Sequence, residues 1–455
     1  MWTEIVRQFL TWVMPLVLFF NGISFTVPHT ADNYPAKIEY AYSNDTAGSA
    51  AGTVTLSASL GGSYDLFWGD ENGNKLYEAA GSRKVYYSEF AEVDVRGGNG
   101  SVDILPFTAI PDGAETVLAY KGAFCCGVTE IEESKQADSG EVLYTFGALS
   151  DVHFNRDHSP VEDNSVLTFS NALNFLDKFD VKLVAMSGDV SRNYEEDSFI
   201  KFHQIAAEHD YPVYTCTGNH DVQEGFRIED WYNYMNVGVY NAPIAPGIQA
   251  VNRETLDFVY APDEAKGDVF IFLSHTQDNY SDNGQNVSPE QLDWLGEQLE
   301  KYKDSKVYLF YHSFLPNDNG NPYMCEGNIL GPDGEYYSCY AKYGRADDLR
   351  LREFLQTYKN VVFFNGHSHI QFDMQKYNPD LNITNYGGKY TTLVHIPSVS
   401  VTRVVGGEKG SLKDLRNLRG SQGYLAKVYA DRIVLTGVDF MRGKFVSYAT
   451  YTIGR

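Results

Sequence analysis

Between Ala36 and Tyr120 apolar and polar residues alternate over short runs, among them TVTLSASLG, SYDLFWGD, KVYYSEF, AEVDVRGG, SVDILPF and TVLAYKG. Clusters of Gly, Asp and Asn separate the runs. A period of two between turn signals predicts strands with one buried face. No long helical period crosses the region. It predicts a small all-β sandwich of the fibronectin or immunoglobulin kind, roughly seven strands, over residues 30–128. The polar stretch 129–140 reads as a linker.

From Glu141 strands alternate with amphipathic helices. EVLYTFGALS, VKLVAMSG, PVYTCT, DVFIFLSH, KVYLFYH and VVFFNGH read as strands. VEDNSVLTFSNALNFLDKF, DSFIKFHQIAAEH, SPEQLDWLGEQLEKY and DDLRLREFLQTY read as helices. The clearest is the third. Ser288 suits the N-cap, Pro289 the first turn and Gln291 the reciprocal capping position, while Leu292, Leu295 and Leu299 share a face. Alternation of this kind predicts an α/β (α+β) unit over 141–455, and the strands from Gly423 to Ile453 predict a second sheet packed on the first. The Gly- and Tyr-rich insertion from Leu315 to Tyr343 follows a strand end and is expected to wall a cleft.

The chain has 455 residues, enough for two or three domains, and a formal net charge of -24. So acidic a surface repels polyphosphate backbones, so no nucleic-acid polymer is expected as partner. A small phosphorylated molecule remains possible if cations supply local positive charge. Phe9 to Phe20 is strongly apolar, so residues 1–28 read as a signal peptide or an N-terminal anchor, the only expected membrane contact. Either implies a secreted or cell-surface protein. The cysteines are Cys125, Cys126, Cys216, Cys325 and Cys339, with no CxxC pair, which argues against a structural zinc site. Cys216 reads as a buried thiol. In an exported protein Cys325 and Cys339 are expected to pair, Cys125 or Cys126 being the alternative partner. Nothing in the chain specifies an oligomeric state.

Five predicted strands end in groups able to ligate a metal: Asp151 and His153, Asp189, Asn219 and His220, His312, and His367 and His369. In open α/β sheets ligands bind beyond the C-terminal strand ends. One such end is ordinary turn chemistry; five aimed at one edge are not. With His220 not counted as a ligand, two carboxylates, one amide oxygen and four imidazoles exceed one tetrahedral shell. They suit two ions about 3.5–4 Å apart. With N and O donors alone, the set favours divalent or trivalent Mn, Fe, Zn, Co or Ni. His275 reads as a sheet-edge residue, and His203, His209 and His395 as structural. His158, Arg156 and Arg192 are weaker candidates for substrate contact.

These blocks, Asp151-Val152-His153, Gly188-Asp189, Gly218-Asn219-His220-Asp221, His312 and Gly366-His367-Ser368-His369, resemble those of the calcineurin-like metallophosphoesterase family, in order, from Glu141 to about Ser400. The resemblance implies a four-layer β-sandwich flanked by helices. It implies one metal held by Asp151, His153, Asp189 and His369, and another by Asp189, Asn219, His312 and His367, with Asp189 as bridge. A β-sandwich ahead of such a unit looks like the layout of purple acid phosphatases. Those carry a tyrosine ligand where Arg192 stands and no histidine at the place of His153, so a ferric–tyrosinate centre is not expected.

The activity implied is hydrolysis of small phosphomonoesters or phosphodiesters by a metal-bridging hydroxide. His220 would protonate the leaving oxygen and Asp221 would orient the His220 ring. The alternatives are a metal-dependent nuclease, which the missing basic stripe opposes, and a non-catalytic cell-surface binding protein, which the complete ligand set opposes.

Overall fold

The computed structural model describes residues 36–43, 46–136, 140–154, 160–222, 226–275, 287–313, 327–330, 336–339, 349–373, 383–385, 391–404, 415–417 and 420–455. The apolar N-terminal segment, most of the Leu315–Tyr343 insertion, Arg156, His158 and the proposed Cys325–Cys339 pairing lie outside them. Among the described residues no helix is long and apolar enough to cross a membrane.

Seven strands near the N-terminus form two antiparallel sheets. One runs Ala36–Tyr42, Gly52–Ala58, Asn99–Ile104; the other runs Ala91–Val95, Gly62–Gly69, Thr116–Lys121, Phe124–Glu130. Their alternating residues meet as one core that includes Val54, Leu56, Tyr64, Leu66, Trp68, Val93 and Val117. A hairpin, Tyr77–Ala80 with Arg83–Tyr86, is added outside these sheets. The last strand runs to Glu130, past the expected boundary at 128, because Val128 and Thr129 pair with Leu118 and Val117. Its polar outward positions made it read as linker.

The larger unit is a sandwich of two sheets with helices outside each. The six-stranded sheet has the spatial order Val213–Thr215, Val181–Met186, Tyr144–Leu149, Gln422–Val428, Arg432–Asp439, Lys444–Gly454. The seven-stranded sheet has the order Ile248–Asn252, Asp257–Tyr260, Val269–Phe272, Val307–Phe310, Val361–Asn365, Thr392–His395, Ile383–Asn385. The closing strands therefore do not build a second sheet. They extend the first, Gln422–Val428 lying antiparallel to Tyr144–Leu149. Such a pairing across most of the chain leaves no local signature in a run of alternating residues.

The parallel strands are buried on both faces, hence nearly unbroken apolar runs. Their two faces still differ. In Val269–Phe272, Val307–Phe310 and Val361–Asn365 the residues Val269, Ile271, Val307, Leu309, Val361 and Phe363 join Leu292, Leu295, Leu299, Leu351 and Leu355 from the helices Pro289–Lys301 and Leu349–Thr357. The alternate residues Phe270, Phe272, Tyr308, Phe310 and Phe364 face the first sheet, where Phe146 lies 5.2 Å from Phe270 and 5.0 Å from Tyr308 between ring centres. Helices Pro160–Leu176 and Glu196–Ala206 belong to the first sheet; Phe169 stacks on Phe202 at 5.2 Å. Gly147 admits the first of them, since a Cβ there would lie 2.6 Å from Leu176 Cδ1. The capping box at Ser288 and Gln291 is present as expected.

The small sandwich docks on the outer edge of Lys444–Gly454. Ala109 N–H donates to Thr450 O (2.8 Å), Thr452 N–H to Phe107 O (2.8 Å) and Ser88 N–H to Phe445 O (3.0 Å). Lys427 Nζ also pairs with Glu78 at 2.6 Å, both side chains largely buried. A strand edge that would otherwise offer unpaired backbone groups is thereby satisfied.

Candidate metal centre

Parallel pairing sets the site. Tyr144–Leu149, Val181–Met186 and Val213–Thr215 run parallel in the first sheet, as do Val307–Phe310 and Val361–Asn365 in the second. Their C-terminal ends therefore lie on one side of the sandwich. Asp151 and His153, Asp189, Asn219, His312, and His367 and His369 follow those ends and come together as the sequence predicted. All are buried except His367, which is half-buried.

The ligating atoms fall into two linked groups. His153 Nε2 lies 3.0 Å from His369 Nε2 and 3.4 Å from Asp189 Oδ2, and His369 Nε2 lies 3.2 Å from Asp151 Oδ1. On the other side His312 Nε2 is 3.0 Å from Asp189 Oδ2 and 3.1 Å from His367 Nδ1, which is 3.0 Å from Asn219 Oδ1. Asp189 Oδ2 faces histidines of both groups. The backbone bends to achieve this: Asp151, His153, Asp189, His367 and His369 all have positive φ, between 52° and 73°. Left-handed conformations are costly for such residues and persist where a site over-determines them.

The glycines of the motifs are there for close approach. A Cβ on Gly218 would overlap the Asp189 carboxylate, and one on Gly366 would overlap Ser150 Oγ and Asp151 Oδ2. Gly218→Ala is expected to displace Asp189 and to destabilise the fold by ~1–3 kcal/mol, the usual cost of overpacking. Metal content and urea midpoint measured together check this. An alanine variant that binds metal like the parent would show that the contact yields.

Do these residues fit a metal? Among the described residues Asp151 Oδ1 is buried without a hydrogen-bond partner, and imidazole nitrogens of different residues approach each other at about 3 Å. Buried polar atoms are rarely left this way. A cation between the groups would satisfy the oxygen and draw the lone pairs inward, so the donor set fits. The electrostatics agree. Burial disfavours charge on His312, but the Asp189 carboxylate outweighs it and pushes His312 up to about 9. Burial and the neighbouring His312 pull His367 down to about 3. Burial works against the Asp151 charge too, yet His369 and His153 hold that carboxyl well below its usual range. Asp151 and Asp189 therefore stay ionised in the buried site, which suits cations between the two groups.

One expected contact is corrected. Asp221 does not orient His220. Its two carboxylate oxygens accept the backbone N–H groups of Ser191 and Gly218, each at 2.8 Å. His220 Nδ1 instead meets the carbonyl of Arg192 at 2.5 Å. Asp221 is thus a backbone brace, fixing the loops that carry Asp189 and Asn219. The His220 ring lies 4.8 Å from that of His153, beside the first group. The nearby Tyr194 hydroxyl donates to Asp230 at 2.7 Å. The helix expected to reach His209 ends at Ala206, and His209 pairs with Asp177 at 2.9 Å. Two buried histidines, His275, expected at a sheet edge, and His395, expected to be structural, lie against serines next to the candidate ligands. A His at the end of a strand next to a ligand-bearing one was the available signal.

A family model described as calcineurin-like phosphoesterase matches residues 144–371. A probable glycerophosphodiester phosphodiesterase GpdQ of Arcobacter nitrofigilis is 28% identical over 137 residues, 29% of this chain. The match spans 41% of that relative's length. Among solved structures, a dimetal phosphatase from Danio rerio aligns over 69% of this chain and 99% of its own, at 16% identity and a TM-score of 0.44. A purple acid phosphatase from yellow lupin (Lupinus luteus) aligns over 92% of this chain and 74% of its own, at 14% identity and a TM-score of 0.41. With half of its length matched by the family model, the chain belongs to the calcineurin-like phosphoesterase family.

Proposed function

We propose that the protein hydrolyses small phosphodiesters or phosphomonoesters with two metal ions. One ion would be held by Asp151, His153, Asp189 and His369, the other by Asp189, Asn219, His312 and His367. The observation that carries this reading is the position of Asp189 Oδ2, within 3.4 Å of His153 and 3.0 Å of His312. The name of the Arcobacter relative supports a diester among the substrates, over the part of its length that is shared.

Bound there, the ions would lower the pKa of water and neutralise charge developing on the phosphoryl oxygens. The protein's own part is positional. Asp221 braces the backbone at Ser191 and Gly218, so both loops hold their ligands. The Arg192 carbonyl accepts from His220 Nδ1 at 2.5 Å and fixes the ring. Protonated at Nε2, His220 would hand that proton to the departing oxygen.

The test is an assay of metal-stripped and reloaded protein, with Mn, Zn, Co or Fe, on bis(p-nitrophenyl) phosphate, p-nitrophenyl phosphate, glycerophosphodiesters and single-stranded DNA. Metal-dependent turnover of the small esters, with little on DNA, is expected. Absence of small-ester hydrolysis with every metal would overturn the proposal.

A further inference from the structure

Two fully buried histidines stand behind the centre and take no part in the steps above. His395 Nε2 lies 2.7 Å from Ser368 Oγ, and Ser368 separates His367 from His369. Both of those flanking residues are left-handed, with φ of 73° and 62°, so the serine sits in the middle of a strained turn. His275 Nε2 lies 3.0 Å from Ser313 Oγ, and Ser313 follows His312. The carbonyl of His275 also accepts the Thr217 hydroxyl at 2.6 Å, two residues before Asn219.

The proton count at Ser368 is informative. Its Oγ accepts the Ile370 N–H at 3.3 Å, and its single proton needs an acceptor. If it donates to His395 Nε2, the one group left unpaired is the His395 Nδ1–H, and Nδ1 has no partner among the described residues. The opposite arrangement would strand both a nitrogen lone pair and the serine proton. His395 is therefore a neutral acceptor that fixes the Ser368 hydroxyl, and with it the turn.

We propose that His395 and His275 are positioning residues of the metal centre, acting through Ser368 and Ser313. His395 stands behind both ions, because Ser368 lies between a ligand of each. His275 stands behind the ion held by Asn219, His312 and His367 alone. This rests on the ligand assignment above. Residues that orient metal ligands from behind commonly control affinity by 10–100-fold.

The experiment measures two Mn(II) dissociation constants by calorimetry on stripped protein, together with the thermal midpoint of the metal-free form. His395→Phe is expected to weaken both constants by about 10–100-fold. His275→Phe is expected to weaken one and leave the other within about twofold of the parent, well short of that range. His395→Gln, whose amide oxygen can accept from Ser368, should recover most of the lost affinity. Should the phenylalanine variants not fold, Ser368→Ala and Ser313→Ala remove the same hydrogen bonds with little change of volume and should reproduce the same pattern. Unchanged constants, equal losses at both ions in the two variants, or losses that merely follow the metal-free midpoint would overturn the proposal. His367→Asn is the control. If it too leaves both constants unchanged, the ligand assignment has failed; if it loses metal while His395→Phe and Ser368→Ala do not, the positioning role has failed.

Discussion

Asp189→Asn is expected to cost the protein both ions. One oxygen of Asp189 faces His153 at 3.4 Å and His312 at 3.0 Å, and the other accepts the His220 N–H at 2.9 Å. The amide keeps the size of the side chain but removes the charge of the carboxylate oxygen that faces histidines of both groups. Each ion would lose an anionic ligand, and the pocket would keep its buried histidines with Asp151 as the remaining carboxylate. Activity should fall by more than about 10³-fold, beyond the loss from removing one transition-state hydrogen-bond donor. Asp151→Asn, by contrast, should weaken one ion mainly, since Asp151 Oδ1 faces His369 at 3.2 Å and His153 at 3.6 Å. Elemental analysis and activity of the two variants check the contrast. An Asp189→Asn protein that retains two ions and activity within tenfold of the parent would mean that the carboxylate does not bridge.

His220→Asn should instead keep its metals and lose a proton donor. A strongly basic alkoxide cannot depart without a proton, whereas a nitrophenolate can, so the loss should depend on the leaving group. About 10²–10⁴-fold is expected on alkyl phosphate esters, the range for general acid catalysis, and clearly less on nitrophenyl esters. The geometry adds a second arm. Since Arg192 O, not Asp221, holds the His220 ring, Asp221→Asn should not reproduce that leaving-group dependence. It should destabilise the fold, because an amide nitrogen would face a buried N–H of Ser191 or Gly218, at a cost of about 1–3 kcal/mol. Rates on the two ester types, with metal content, test both variants. Equal slowing of both esters by His220→Asn, or loss of metal, would make His220 a ligand or a charge-stabilising group.

The site was legible because its signal is local. An apolar strand that stops in Asp, Asn or His is visible in a few residues, and parallel pairing then collects those ends without further information. The helix at Pro289 was legible for the same reason, its capping box and leucine face both lying within one segment. What was missed was either too short to show a period or depends on contacts across the chain. Ile248–Asn252 and Asp257–Tyr260 are short strands whose apolar residues show too few periods to be read. The helix Ile228–Tyr234 is seven residues long and mixes aromatic with acidic side chains. Asp221 is adjacent to His220 in sequence, which suggested a contact, but the turn sends the carboxylate to the backbone at Ser191 and the imidazole to Arg192. His395 and Ser368 are 27 residues apart, and nothing in either segment names the other.

The covered edge of Lys444–Gly454 also bears on how the protein is made. The small sandwich precedes that strand in the chain, so during synthesis it emerges first and has the chance to fold alone on its own core. When the strand later emerges, the residues that cap it, Ser88, Phe107 and Ala109, are already in place. The order matters in one direction only. A sandwich waiting for its strand exposes a few backbone groups on turns, whereas the strand without its sandwich would expose a row of them on an edge, the form that recruits a second copy. Cutting the chain between the two units would therefore yield a catalytic fragment with its metal ligands intact and a surface prone to self-association.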